Sequence, residues 1–372
     1  MSSKNYFTIL ISGGGTGGHV YPGIAIANKL KQLQPDIEII FVGVKNRIES
    51  KIVPREGYPL KFVYIKSLPR KLGVKTAAFF FSLLVGFVQS LVLLLRYRPK
   101  AVIGTGGYVS WPVVYAAALL GIPTLIQEQN SFPGITTKAL ASKVDEIHLA
   151  FEEAIGYLKK VKDKNKFKIT GNPIRLSAKS IDRSSALKAF QLDQKKRTLL
   201  LFGGSQGAAP LNQALLEALP YLTTEIQIIW QTGESDYETM QRECQKFGPK
   251  IFIKPFIYNM AEAYAAADLA FCRSGAITIA ELVQLKVPAI FVPLPHAAEG
   301  HQEKNARVLV QAGAAEMILQ QDLTGALVKQ KIESLIFDEE KLAHFKKNLQ
   351  KFDYPDAAGK IANCVLQLIK KN

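Results

Sequence analysis

The sequence predicts an α/β protein built from two Rossmann-like domains with parallel sheets. Three observations carry that prediction. Apolar β-type runs alternate with helical stretches along the whole chain, the pattern of parallel strands joined by crossover helices. At 372 residues the chain is too long for one ordinary core. The two halves also open alike, ILISGGGTGG from Ile9 and LLLFGGSQGA from Leu199: strand, glycine turn, small residue, helix.

Taken in order, YFTILIS (6–12), IEIIFVGV (37–44), AVIGTG (101–106), PTLIQEQ (123–129), EIHLA (146–150) and FKITG (167–171) read as strands of the first half. A second series restarts with RTLLLFGG (197–204) and continues through IQIIWQTG (226–233), IFIKPF (251–256), LAFCRSG (269–275) and PAIFVPL (288–294). The Gly-Asn-Pro turn in GNPIRLSA (171–178) interrupts this rhythm and marks the join. The expected domains are 1–172 plus 353–372, and 173–352. The final stretch, AAGKIANCVLQLIKK after the DYPD break, is an amphipathic helix that can pack back on the first domain.

Composition limits the partners. Cys244, Cys272 and Cys364 lack C-x-x-C spacing, which argues against a disulfide framework or a zinc site and fits a reducing cytoplasm. MSSKNYF runs straight into a strand, so no signal peptide is expected. The net charge of +16 is concentrated: residues 1–172 hold 23 Lys/Arg against 10 Asp/Glu. No acidic residue lies between Glu56 and Glu128, a window containing Lys61, Lys66, Arg70, Lys71, Lys75, Arg96, Arg98 and Lys100. A polyanionic partner is implied: nucleic acid, anionic lipid or a phosphorylated substrate.

Inside that window, Ala77 to Leu95 are uncharged and long enough to span a bilayer. Ser82, Gln89 and Ser90 interrupt the run, and it connects two strands of one α/β domain. A helix buried on one side and touching a membrane surface on the other satisfies both facts. A plain buried helix is the alternative.

Each glycine loop follows a strand and opens a helix, so it can offer unpaired N–H groups and a helix dipole to an anion. Gly13, Gly15 and Gly18 fit G-x-G-x-x-G, but the second strand ends in Val44 and Lys45 where a dinucleotide site needs an acid. No G-K-[ST] follows, which excludes a P-loop. His19 then stands where it can act as a base, or cap the helix. Gly104, Gly106 and Gly107 offer a second anion seat, and Glu128, with Asn130 beside it, is a rival base or a loop-stabilising group. In the second half, Ser274-Gly275-Ala276 opens a helix, Glu281 is placed to take ribose hydroxyls, and Gln302 and Asn305 sit one helical turn apart, suited to sugar hydroxyls.

GGGTGGHVYP, GTGGYVS, QEQN, GNPIR, GGSQGA, CRSGAITIAEL and HQEKNA fall in the order seen in the membrane-associated peptidoglycan glycosyltransferases, which the chain resembles from about Ile9 to Ala306. The resemblance implies a GT-B fold, two Rossmann-like domains facing across a cleft. It implies transfer of N-acetylglucosamine from UDP-GlcNAc to undecaprenyl-diphospho-N-acetylmuramoyl-pentapeptide at the cytoplasmic face of the bacterial cell membrane. By the same resemblance Ser205, Gln206 and Arg175 contact the diphosphate, Ile257 the uracil through its backbone, and Glu281 the ribose. Gln302 and the helix start Ala276, Ile277 and Thr278 hold sugar and phosphates, while Thr16, Gly17, Gly18 and Asn130 reach the GlcNAc. Gly14, Gly15, Gly104, Gly106, Gly107 and Tyr108 seat the acceptor's diphosphate, and an anionic membrane surface is a further partner.

The chemistry implied is inversion by attack of the acceptor C4 hydroxyl, with His19 as base and Glu128 as its rival. No D-x-D pair is present to carry a metal–diphosphate complex, so neither metal nor cofactor is expected. A glycolipid synthase or a UDP-sugar 2-epimerase of the same architecture remains as an alternative. Nucleic acid is not an expected partner, since no basic surface interleaved with aromatics appears.

Overall fold

The computed structural model describes residues 7–67, 73–175, 181–247 and 250–371. Arg70 and Lys71 of the basic window, and residues 176–178 of the expected join, lie outside them. The chain divides into two compact units, Met1–Arg175 with Tyr354–Asn372, and Leu176–Asp353.

In the first unit, β1 (Thr8–Gly13), β2 (Glu38–Gly43), β3 (Leu60–Phe62), β4 (Ala101–Gly106), β5 (Thr124–Glu128), β6 (Glu146–Leu149) and β7 (Phe167–Ile169) form one sheet. Its order is β3-β2-β1-β4-β5-β6-β7, and every neighbouring pair is parallel. Helices α1 (Gly17–Leu33), α2 (Glu49–Arg55), α3 (Val74–Tyr97), α4 (Ser110–Leu119) and α5 (Ile135–Leu140) connect these strands. The continuous apolar runs are those of strands covered on both faces. Leu10 and Val102 pack into one core, with Val113 and Val114 of α4. Ile9, Ile11 and Ile103 pack into the other, with Val20 and Ile24 of α1.

The second unit repeats the plan. Strands β8 (Arg197–Phe202), β9 (Ile226–Gln231), β10 (Ile251–Lys254), β11 (Leu269–Cys272), β12 (Ala289–Phe291) and β13 (Glu316–Met317) pair in parallel in the order β10-β9-β8-β11-β12-β13. Its helices are α6 (Arg183–Ala189), α7 (Ala209–Ala218), α8 (Tyr237–Cys244), α9 (Met260–Ala266), α10 (Ala276–Gln284), α11 (His301–Gln311), α12 (Gly325–Ile336) and α13 (Glu339–Leu349). The last helix, α14 (Ala357–Lys371), returns to the first unit. There Ile361, Ala362 and Val365 join the α1 side of the core. In each unit the strand order reverses at one point, between β1 and β4 and between β8 and β11. Ligands of open parallel sheets bind at the carboxyl ends of strands at such a point.

Helix α3 runs from β3 to β4 of one sheet, so it is a crossover helix. Leu94 is buried, and Leu83, Phe87 and Leu91 pack on the same core. Of the three polar residues of the run, Ser82 and Ser90 are buried and Gln89 is exposed, and each is hydrogen-bonded. Ser82 Oγ accepts from Lys66 N–H at 3.1 Å, Gln89 Oε1 accepts from Tyr64 N–H at 2.6 Å, and Ser90 Oγ donates to Gly86 O at 2.7 Å. The opposite side carries Phe80, Phe81, Leu84, Val88, Val92 and Leu95, each 50–65% exposed. Spaced at i, i+4 and i+7, they form one stripe along the helix.

Candidate active site

At the first switch point, the loops after β1 and β4 meet backbone to backbone. Gly14 N–H donates to Gly106 O at 3.3 Å. Gly15 N–H donates to Glu49 Oε2 at 2.9 Å, and Val44 N–H to Glu49 Oε1 at 3.0 Å. Glu49 is fully buried, and a Cβ on Gly14 would lie 2.3 Å from its Oε1. The expected seat for the acceptor's diphosphate therefore needs correction. The N–H groups of Gly14 and Gly15 are committed inside the protein, and a buried carboxylate stands behind them. Gly106 N–H donates to Ser110 Oγ at 3.2 Å, and Gly104 is buried within β4, where a Cβ would meet Val114 Cγ2 at 2.8 Å. Gly107 and Tyr108 keep their N–H groups without a hydrogen-bond partner among the described residues. So do Gly17 and Gly18 at the α1 N-terminus, whose first N–H groups have no helical acceptor. Thr16, the N-cap, is exposed and makes no side-chain capping bond.

His19 lies in the first turn of α1, partly exposed. Its Nδ1 is 2.9 Å from Gln129 Oε1. Gly106, at φ +105°, lets the ring approach: a Cβ there would be 2.6 Å from Nδ1. His19 O accepts from Thr105 Oγ1 at 2.8 Å. Among the described residues Nε2 makes no hydrogen bond, so one ring nitrogen is anchored and the other is available.

Glu128, at the end of β5, is buried and heavily bonded. Its Oε1 accepts from Asn130 N–H and Nδ2, each at 3.0 Å. Its Oε2 accepts from Gly134 N–H at 3.0 Å and Thr137 Oγ1 at 2.5 Å. All four of these hydrogen bonds are made within the first unit, and the side chain is 3% exposed, so the carboxylate is taken up by its own loop. Glu128 organises the loop that carries Gln129 and Asn130. Arg175 belongs to the first unit, where its guanidinium pairs with Glu56 and lies 4.4 Å over the Tyr21 ring. The charge expected to meet a diphosphate is engaged there.

In the second unit the loop after β8 exposes Ser205 and Gln206. Gln231, at the end of β9, donates from Nε2 to Gly204 O at 3.0 Å and accepts from Ile257 N–H at 2.8 Å. The expected backbone contact of Ile257 with a base is thus reduced to its carbonyl. Helix α10 begins at Ala276 with Gly275 as N-cap, directing the first N–H groups, including those of Ile277 and Thr278, outward. Behind it Arg273 is buried and donates to Val292 O and Pro293 O, each at 3.0 Å, and to Gln320 Oε1 at 2.6 Å. Burial pushes its guanidinium down to about 10, which leaves it cationic at neutral pH beside the helix start.

Glu281, in the second turn of α10, accepts from the Tyr264 hydroxyl at 2.8 Å through Oε2. Burial, then the Glu281 charge, push that phenol well above its ordinary range, so it remains a donor. Ser274 Oγ donates to Gln302 O at 2.8 Å, and Gln302 Oε1 accepts from Leu294 N–H at 2.9 Å. Gln302 therefore joins the loops after β11 and β12 to the start of α11. Asn305, expected to reach a sugar, is fully buried and belongs to the α11 core face.

Family models for the glycosyltransferase family 28 N-terminal and C-terminal domains match residues 9–149 and 198–361. The chain belongs to glycosyltransferase family 28. Its two parallel-sheet units are the GT-B architecture of that family. The family 28 chain is 40% identical over 370 residues to the UDP-N-acetylglucosamine–N-acetylmuramyl-(pentapeptide) pyrophosphoryl-undecaprenol N-acetylglucosamine transferase of Desulforamulus reducens, covering 97% of this chain and 99% of that one. It is 41% identical to the Bacillus pumilus protein of the same name, covering 97% and 99%. The crystal structure of Acinetobacter baumannii MurG superposes with a TM-score of 0.79 at 29% identity, covering 97% and 99%. A UDP-N-acetylglucosamine 2-epimerase at 13% identity and a TM-score of 0.66 shares the fold alone, covering 99% and 97%.

Glu49 and Gln129 of the first unit, and Gln231, Tyr264 and Arg273 of the second, were not singled out from the sequence. Gln129 lies inside the quoted QEQN motif and Arg273 inside CRSG, so both stood beside residues already singled out. Glu49 carried a weaker signal, an acid five residues past Val44 in a strongly basic half.

Proposed function

We propose that this protein transfers N-acetylglucosamine from UDP-GlcNAc to the C4 hydroxyl of undecaprenyl-diphospho-N-acetylmuramoyl-pentapeptide, with inversion, forming the β-1,4-linked disaccharide lipid of peptidoglycan synthesis. The observation that carries the reading is the full-length match, at about 40% identity, to relatives named for that transfer. The geometry is suited to it. Glu281, held by Tyr264, takes the ribose hydroxyls. The Ile257 carbonyl meets the uracil. Ser205, Gln206 and the α10 N–H groups at Ile277 and Thr278 hold the diphosphate as its charge grows, with Arg273 behind them. Gln302 Nε2, Thr16, Gly17, Gly18 and Asn130 contact the GlcNAc. Gly107 and Tyr108 N–H groups bind the acceptor's diphosphate.

As the acceptor oxygen attacks the anomeric carbon, its proton passes to His19 Nε2 while the bond to UDP breaks on the opposite face. Glu128 keeps the loop around Gln129 and Asn130 in place. Helix N-termini and loop N–H groups do the work that a cation held by D-x-D carboxylates does elsewhere. The apolar stripe of α3, with Lys61, Lys66, Arg96, Arg98 and Lys100 in the same acid-free window, rests on the anionic cytoplasmic face of the cell membrane where the lipid acceptor lies.

The test is incubation with UDP-GlcNAc and the lipid-linked muramoyl-pentapeptide. Acceptor-dependent release of UDP with a β-1,4-linked product supports the reading. Release only with a different lipid, or epimerisation of UDP-GlcNAc without acceptor, overturns it.

A further inference from the structure

We propose that Gln129 sets the tautomer of His19 and thereby makes Nε2 the base; the inference rests on the base role assigned to His19 above. Gln129 is almost completely buried, and its side-chain nitrogen faces only acceptors. Nε2 lies 2.8 Å from Thr105 O and 3.1 Å from Gln127 O, and it also contacts Gln127 Oε1. An amide oxygen in that place would face three oxygens, so the orientation of the group is forced. Gln127 is oriented in turn: its Nε2 donates to Glu128 O at 3.2 Å and to Asn172 Oδ1 at 3.0 Å. Asn172 Nδ2 donates back to Gln129 O at 3.1 Å.

The three buried amides form a chain of hydrogen bonds with one direction, Gln127 to Asn172, Gln129 to Gln127 and His19 to Gln129. Its last acceptor, Gln129 Oε1, can take only a proton from His19 Nδ1. Neutral His19 must therefore carry its hydrogen on Nδ1 and its lone pair on Nε2, the nitrogen with no partner among the described residues. A carboxylate at the same place would fix the same tautomer but also favour imidazolium. The amide fixes the tautomer without adding charge, so in the neutral imidazole the lone pair already stands on Nε2 before the acceptor arrives. Gln129 touches no substrate in this account and is a positioning residue.

Two readouts test it. The chain has five histidines, and ¹⁵N NMR of the ring-labelled protein, with His19→Gln to assign the signal, reports the tautomer directly. The wild type should show Nδ1–H. Gln129→Leu should populate Nε2–H and lower kcat by ~100-fold, within the range general base catalysis supplies, while KM for UDP-GlcNAc holds. Gln129→Met, which removes the acceptor while keeping the side chain's length, should also populate Nε2–H and serves where the leucine variant does not fold. An Nε2–H tautomer in the wild type, or an unchanged tautomer in Gln129→Leu, overturns the role of Gln129 whatever His19 does. Near-normal turnover of His19→Ala overturns the base assignment instead, and the two failures read out separately.

Discussion

The Glu49 carboxylate receives the Gly15 N–H at 2.9 Å in the middle of the glycine loop. Its second oxygen receives Val44 N–H at the end of β2, so a single buried charge joins the first two βα loops. Gly14 and Gly43 leave the space for it. Glu49→Ala would strand two N–H groups and open a cavity. It should destabilise the first unit by about 2–4 kcal/mol, as the loss of hydrogen bonds to a buried charge does. Equilibrium unfolding checks this, and a loss under about 1 kcal/mol would remove Glu49 from its organising place.

Glu281 and Tyr264 separate binding from chemistry. Glu281→Ala should raise KM for UDP-GlcNAc by about 10–100-fold, the worth of hydrogen bonds to a charged group, with kcat little changed. Tyr264→Phe removes only the hydroxyl that steadies the carboxylate and should act in the same direction, less strongly. Steady-state kinetics on both variants decides. A fall in kcat at unchanged KM would place Glu281 in the chemical step.

The α3 stripe makes a prediction about location without stability. Leu84, Val88 and Val92 are 62%, 50% and 58% exposed, so replacing all three by Asn should leave the melting temperature nearly unchanged. Co-sedimentation with anionic vesicles should fall several-fold and become more salt-sensitive. Undiminished binding would move the membrane contact elsewhere.

His148 predicts an acid-side weakness in the first unit. It is fully buried; burial holds its imidazole below the ordinary 6.5, against the pull of the hydrogen bond that Glu146 accepts from it. The unfolded chain therefore takes up this proton more readily than the folded one, and the stability concerned is complete above pH 6.5. It is lost as pH falls below that value toward the depressed folded pKa. Urea midpoints at pH 8 and pH 5.5 should show a steeper drop for the wild type than for His148→Gln. Equal slopes would mean that the imidazole is already charged in the fold.

The longer strands and the parallel character of both sheets were legible because buried parallel strands leave unbroken apolar runs, as in Ile9 to Ile11, whereas the strand order came only with the structure. Strands β3 and β13 were not: at three and two residues they are too short for any pattern. The glycine loops were visible as a motif, but the use of their N–H groups was not. That depends on contacts such as Glu49 with Gly15, 34 positions apart, and Gln129 with His19, 110 apart. Asn305 shows the reverse error, since helical spacing from Gln302 placed it near a ligand while the turn of α11 carries it into the core. In α3 the length of the apolar run and its three polar residues were visible, but that Ser82 and Ser90 are buried while Gln89 is exposed depends on packing against residues 64–66 and the sheet.

The proposed base is His19, whose Nε2 takes the acceptor's proton. The most direct measurement is turnover and UDP-GlcNAc affinity of His19→Ala beside the wild type, under conditions where lipid acceptor saturates. With His19 as the base, the variant should lose ~10²–10⁴-fold in kcat with the dissociation constant for UDP-GlcNAc held to within about twofold. Turnover within about tenfold of the wild type would contradict it.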